Sequence, residues 1–236
     1  MTTGTTTSPL VETSIEGRLA RLRLRRPEAD NRVTVAMMRQ LIDGIAAASE
    51  ADCDVLLVTA EGDDFSVGRD QQERPEGMTK RDNLSLILEA NAQLDGFAGI
   101  VVTAFRGRAL GFGSGLVVQS DIALAAGSAT LGFDEIQHGF APLIVLTYLE
   151  QFVGPKNALD LAVTGRHLSA EEALRMGMVS RVVPGDELEA CAEALVQGLL
   201  ARDSGATRGC KRFLRDVRGV AADARPTYAL DQMVGA

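Results

Sequence analysis

Tryptophan is absent from this 236-residue sequence and tyrosine occurs only twice, so aromatic residues make up just 4% of it. A core without them must come from Leu, Val, Ile, Ala and Met, which the 46% hydrophobic fraction supplies for an ordinary globular chain. Histidine also occurs twice, at His138 and His167. The two stand too isolated for ligand spacing, so no metal site is expected. Cys53, Cys191 and Cys210 show no C-x-x-C spacing and are odd in number. They read as reduced intracellular thiols, not as a disulfide framework. Basic residues are in the minority, and the net charge is −8. Nucleic acid is therefore not the expected partner, because phosphate contacts need clustered Lys and Arg. A small anionic ligand held by local positive groups and backbone amides stays open. No apolar run approaches the roughly 20 residues that a membrane-spanning helix needs. The opening MTTGTTTSPLVETSIEG lacks the basic and apolar regions of a signal peptide. The expectation is a cytoplasmic protein with neither a membrane nor a nucleic-acid partner.

Residues 1–8 are Thr-rich and are predicted to form a disordered tail. Alternating polarity over 9–14 and 18–24 predicts two strands joined by a turn at Glu16-Gly17. Thr34 is a suitable N-cap for a helix carrying Met38, Leu41, Ile42 and Ile45 on one face. Short apolar runs predict buried strands over 54–60 and 99–105, with a helix around 84–95 between them. A short helix near 114–119 and strands over 121–127 and 129–133 follow. After residue 140 the pattern is helical: 141–152, 155–164, 169–176, 186–202, 205–217 and 224–234. Ser169-Ala-Glu-Glu172 has the form of a capping box, and Gly177 suits the end of that helix. The class is α/β, with a mixed core over residues 9–140 and a helical region over 141–236.

Two loops carry the chemistry. GRALGFGSGLVVQSD (107–121) has four glycines in nine positions after a buried strand, and FSVGRD (65–70) also follows one. The glycine spacing is neither the dinucleotide pattern nor a P-loop, so the bare backbone serves another close approach. Loops at the ends of neighbouring strands often form one ligand crevice. Backbone N–H groups of Arg69 and Phe112, one from each loop, would then make an oxyanion hole for a carbonyl oxygen.

At this point the sequence resembles the enoyl-CoA hydratase/isomerase, or crotonase, family over residues 10–235. RRPEADN (25–31) is similar to its R-P-x-x-x-N segment, DFSVGRD to its F-x-x-G-x-D loop, and GRALGFGSGL to its G-x-x-x-G-G-G-x-x-L loop. LGFDEIQHGFAP (131–142) resembles the segment with a catalytic glutamate, and LSAEEALRMGMVSRVV (168–183) resembles its A-x-E-A-x-x-x-G-x-V signature. Each piece is weak alone; five in order are specific. The resemblance implies a spiral of ββα units in two sheets with a C-terminal helical trimerisation region. It implies a homotrimer or a dimer of trimers. The implied substrate is an acyl-CoA thioester, with coenzyme A as part of the substrate and no separate cofactor. Family members usually run on past the segment matching TYALDQMVGA, with basic residues that help to hold CoA.

Carried over residue by residue, the two amides fall on Arg69 and Phe112, the latter in place of a glycine. Val67, Gly68, Asp70, Gly111 and Gly115 belong to the same loops and would line the substrate, and Arg25, Arg26 and Arg69 would meet CoA phosphates. Hydratases of the family use two glutamates. The first falls on Gly115, which has no side chain, and the second on Glu135. One carboxylate can move a proton between carbons, so Glu135 as single general acid/base favours isomerase-type transfer over hydration. Asp134, if it faces Glu135, would raise its pKa, and His138 would bond Glu135 or the ligand. Asp70 is expected to fix its own loop and His167 to be structural. A non-catalytic acyl-CoA-binding or assembly protein is the alternative.

Overall fold

Residues 9–234 are described by the structure, a computed structural model. The tail expected over residues 1–8 lies outside them. The alternating stretch around Gly17 folds as a hairpin of β1 (Val11–Glu16) and β2 (Leu19–Leu24), antiparallel with Val11 opposite Leu24. Helix α1 (Val35–Glu50) starts where expected. The Thr34 hydroxyl accepts a hydrogen bond from the Met37 N–H at 3.2 Å, and Met37, Met38, Leu41, Ile42 and Ile45 are buried. Strand β3 (Val55–Ala60) follows. Helix α2 (Lys80–Gly96) begins four residues before the expected 84. Thr79 and Asp82 form a reciprocal capping box, which satisfies two otherwise orphaned N–H groups and sets the start.

Strand β4 (Ile100–Phe105) leads to β5 (Arg108–Leu110), a three-residue strand inside the glycine stretch that carries no readable alternation. Then come α3 (Phe112–Gln119), β6 (Ile122–Ala126) and β7 (Thr130–Gly132). Helix α4 (Leu143–Thr164) breaks at Gly154, whose φ of 75° and ψ of 161° are not helical, with Pro155 next. This is the division expected between 152 and 155. Helix α5 (Ala170–Met176) is capped by the Ser169 hydroxyl and ends at left-handed Gly177. Only half of the expected box forms there, because Glu172 pairs with Arg166 at 2.7 Å. Two short strands break the run of helices expected after residue 140: β8 (His167–Ser169) before α5 and β9 (Arg181–Val183) after it. Helices α6 (Leu188–Leu200), α7 (Ser204–Asp216) and α8 (Arg225–Val234) complete the described chain.

The strands form two sheets. The larger runs β1-β2-β3-β4-β6-β9, parallel from β2 onward, and the smaller runs β5-β7-β8. Neighbours in the larger sheet follow chain order without a reversal. It therefore has no topological switch point of the doubly wound kind, and the chain advances as a spiral. No helix among the described residues is long and apolar enough to cross a membrane.

The C-terminal helices are tied back by charge. Asp54, buried at the start of β3, accepts hydrogen bonds from Arg208 Nη2 at 2.7 Å and from Arg18 and Ser204. Burial alone would raise this carboxyl, but the bonds from Ser204 and Arg208 outweigh it and hold it below the usual carboxylate range. A second buried hub is Asn31, in the left-handed region at φ 51°. Its Oδ1 accepts from the Arg26 N–H at 2.8 Å, and its Nδ2 donates to the Glu61 and Asp64 carbonyls, each at 2.8 Å. Its own carbonyl accepts from the Ser66 hydroxyl at 2.8 Å.

Asn31→Ala removes three of these bonds and leaves buried backbone groups unpaired, each costing about 1–3 kcal/mol. We expect a loss of roughly 3 kcal/mol in denaturant unfolding. A midpoint shift worth less than about 0.5 kcal/mol would show that the hub is not structural.

Candidate active site

The two loops meet backbone to backbone. Ser66 N–H donates to the Arg108 carbonyl at 3.1 Å, and Leu110 N–H donates to the Ser66 carbonyl at 2.9 Å. A Cβ at Gly68 would stand 3.0 Å from the Leu110 carbonyl oxygen and 3.5 Å from Phe112 N, and φ at Gly68 is 87°. Both the space and the conformation demand glycine. Buried Ser114 locks the far side: its hydroxyl donates to the Ala109 carbonyl at 2.6 Å and accepts from the Gly132 N–H at 3.0 Å. The amides of Arg69 and Phe112 flank this junction, and neither donates a hydrogen bond among the described residues. Phe112 is the first residue of α3, where the helix leaves its N–H groups free and its dipole adds positive potential. The Phe112 ring is buried in the core, so the substitution for glycine leaves the amide on the turn.

Glu135 closes the site. It opens a one-turn 3-10 helix, Glu135–His138, after β7. Its Oε1 would stand 3.1 Å from a Cβ at Gly111, the N-cap of α3, so its carboxylate lies against the glycine turn. Oε2 is buried without a hydrogen-bond partner among the described residues. Burial raises the Glu135 carboxyl, a bond from its own backbone N–H opposes this, and the Asp134 charge raises it further. A buried carboxylate oxygen left unpaired costs stability, which marks Glu135 as a functional candidate.

The remaining predicted residues divide. Asp70 fixes its loop, accepting from the Gln72 N–H at 3.1 Å and from Arg26 Nη1 at 2.9 Å. The bond from Arg26 holds its carboxyl below the usual range. Arg26 also donates to the Arg32 carbonyl, and Arg25 pairs with Glu61 at 2.8 Å. The Arg69 side chain reaches the Val33 and Thr34 carbonyls and Asn83. All three guanidinium groups are thus engaged within the protein. His138 is exposed and makes no hydrogen bond to Glu135 among the described residues. Asp134 faces His167, whose Nε2 is 3.8 Å from its Oδ2. Val67 is half-buried and donates its N–H to the Asp30 carbonyl. Lys80 lies over the Phe140 ring at 5.2 Å, joining the loops around 71–90 and 139–150.

The sequence reading missed one residue. Tyr148 of α4 places its hydroxyl 2.7 Å from where a Cβ at Gly115 would stand. Burial, and behind it the Glu135 charge, push this phenol well above the ordinary tyrosine value, so it stays protonated. Nothing in the local sequence signals this, because α4 reaches Gly115 only through packing.

The spiral α/β fold thus brings two free backbone amides and the half-buried Glu135 carboxylate to one glycine turn. The enoyl-CoA hydratase/isomerase family model matches residues 14–228. A Mycobacterium tuberculosis protein named probable enoyl-CoA hydratase is 32% identical over 82% of this chain and 76% of its own length. The 2,3-dehydroadipyl-CoA hydratase of Escherichia coli is 29% identical over 89% and 84%. Among solved structures, a Thermobifida fusca protein described as a "putative enoyl-CoA hydratase", in complex with CoA, superposes with a TM-score of 0.86. It is 27% identical and covers 96% of this chain and 92% of that one. The chain belongs to the enoyl-CoA hydratase/isomerase family.

The raised Glu135 carboxyl has a stability consequence. A group whose pKa is higher folded than unfolded favours the fold while protonated, and that contribution is lost as pH rises through the folded value. Glu135→Gln removes the half-buried charge and is expected to stabilise the protein at neutral pH, read as a rise in Tm. The gain should vanish in acid, below the ordinary carboxylate range. Equal gains at neutral and acid pH would show that Glu135 is not held at a raised value.

Proposed function

We propose that this protein is an enzyme that forms the enolate of an acyl-CoA thioester, with Glu135 as its single carboxylate acid/base. The observation that carries this reading is the Glu135 carboxylate, with an unpartnered buried Oε2, lying against the glycine turn beside two free amides. The Thermobifida fusca relative with CoA, and its complex with acetoacetyl-CoA, support a thioester ligand. In this reading the thioester oxygen accepts from the Arg69 and Phe112 N–H groups. Val67, Gly68, Gly111 and Gly115 form the adjoining wall, Arg26 and Asp70 brace it, and His138 stands at its edge.

Glu135 removes a proton from C2 of a 3-enoyl thioester, and the electrons move onto the thioester oxygen. The same carboxyl returns the proton at C4, leaving the 2-enoyl isomer. One carboxylate suffices for this, whereas Gly115 offers none for a second. The absent side chain at Gly115 also favours the alternative of a non-catalytic acyl-CoA-binding or assembly protein. We further propose a homotrimer or dimer of trimers, supported by the exposed apolar Leu214, Leu230 and Met233 on the last two helices.

Two measurements test these proposals. In deuterated water the protein should exchange C2 protons of acyl-CoAs and isomerise 3-enoyl-CoAs. Glu135→Gln should slow both by about 10²- to 10⁴-fold while binding persists. Binding without exchange or turnover in wild type would leave the binder reading standing. Light scattering should give a trimeric or hexameric mass; a monomer at micromolar concentration would remove the assembly.

A further inference from the structure

Two polar groups face the α3 turn from different elements. Glu135 stands against Gly111 and Tyr148 stands against Gly115, one helical turn further on, where Gly115 N–H donates to the Gly111 carbonyl at 3.0 Å. The two glycines lie one helical turn, ~5.4 Å, apart along the chain. Side-chain hydrogen bonds in α4 involve Thr147, Gln151, Asn157, Asp160 and Thr164; Tyr148 makes none among the described residues. Gly115 and Tyr148 are also sterically linked, since a Cβ at 115 would meet the hydroxyl at 2.7 Å but the ring carbon Cζ only at 3.9 Å. The bare position and the phenol oxygen fit as a pair.

We propose that Tyr148 is a catalytic residue that holds a water molecule against Glu135, so that the site also adds water to a 2-enoyl-CoA thioester. This rests on the enolate reading above and extends it to a reaction for which Gly115 supplies no group. The water donates one O–H to Tyr148 Oη and the other to the Glu135 carboxylate, which directs a lone pair at C3. As the C3–O bond forms, the C2=C3 electrons move onto the thioester oxygen, held by the Arg69 and Phe112 amides. The water proton passes to Glu135. Glu135 then delivers it to C2, and the carbonyl is restored. Hydrogen and hydroxyl are added across the double bond, and both protein groups return to their starting states. The phenol stays protonated throughout, acting as a holder and not as a base, which suits its buried place beside a carboxylate.

The test compares wild type, Tyr148→Phe and Glu135→Gln in two assays: hydration of crotonyl-CoA, and deuterium exchange at C2 of a saturated acyl-CoA. Wild type should perform both. Tyr148→Phe keeps the ring and should lower kcat for hydration by about 10²-fold while changing exchange and KM less than about 3-fold. Glu135→Gln should lose both. Gly115→Ala, which drives a methyl group against Oη, should likewise lower hydration; it serves if the phenylalanine variant folds poorly, as judged by its melting temperature. Hydration unchanged in Tyr148→Phe, equal loss of hydration and exchange, or a wild type that exchanges but does not hydrate would each overturn the role of Tyr148. Those outcomes leave the enolate reading intact. Absence of exchange and turnover in wild type would overturn that reading, and this proposal with it.

Discussion

The close approach of two backbone segments, 66–68 and 109–113, is the constraint on which the site depends. A Cβ at Gly113 would lie 2.4 Å from the Ser66 carbonyl oxygen, a distance that no side chain tolerates. Only with bare backbone there can Ser66 pair with Arg108 and Leu110, and only then do the Arg69 and Phe112 amides stand beside one another. Asn31 holds one segment from behind through the Ser66 hydroxyl, and Ser114 holds the other through Ala109 and Gly132. The amide pair is thus held by buried hydrogen bonds from behind. Such preorganisation is what the proposed oxyanion hole would require.

Two carboxylates, Asp54 buried and Glu135 half-buried, show how the same physics serves opposite ends. Asp54 is surrounded by Arg18, Arg208 and Ser204, which lower its pKa and make it a fixed anchor for the C-terminal helices. Glu135 has one oxygen with no partner, and burial raises its carboxyl above the usual carboxylate value. A paired group is locked, and an unpaired one is available. The cost of the unpaired one is borne by the surrounding packing.

Much of the fold was legible in the sequence. Periodicity located the hairpin, α1, the parallel strands and the C-terminal helices, because each long element presents several apolar residues at one spacing. The short strands β5, β8 and β9 were not legible. With three residues each they carry no period, and they exist because neighbouring strands offer them partners. The early start of α2 is signalled only by Thr79-x-x-Asp82, which precedes the first apolar residue of the helix. The family resemblance implied that arginines 25, 26 and 69 meet CoA phosphates, whereas their positions give them protein partners.

The sequence by itself determined the family and held the two glycine loops and the Glu135 carboxylate in readable motifs. These are contiguous motifs, whose residue types are dictated by backbone conformation and chemistry within a few positions. Tertiary structure alone decided what meets them. It set Gly111 against Glu135, turned the Phe112 ring into the core and brought Tyr148 over Gly115. A glycine in a sequence shows that space is needed, but not what fills it. That is settled when helices distant along the chain pack against the turn, since contact depends on the whole core and not on neighbours in sequence.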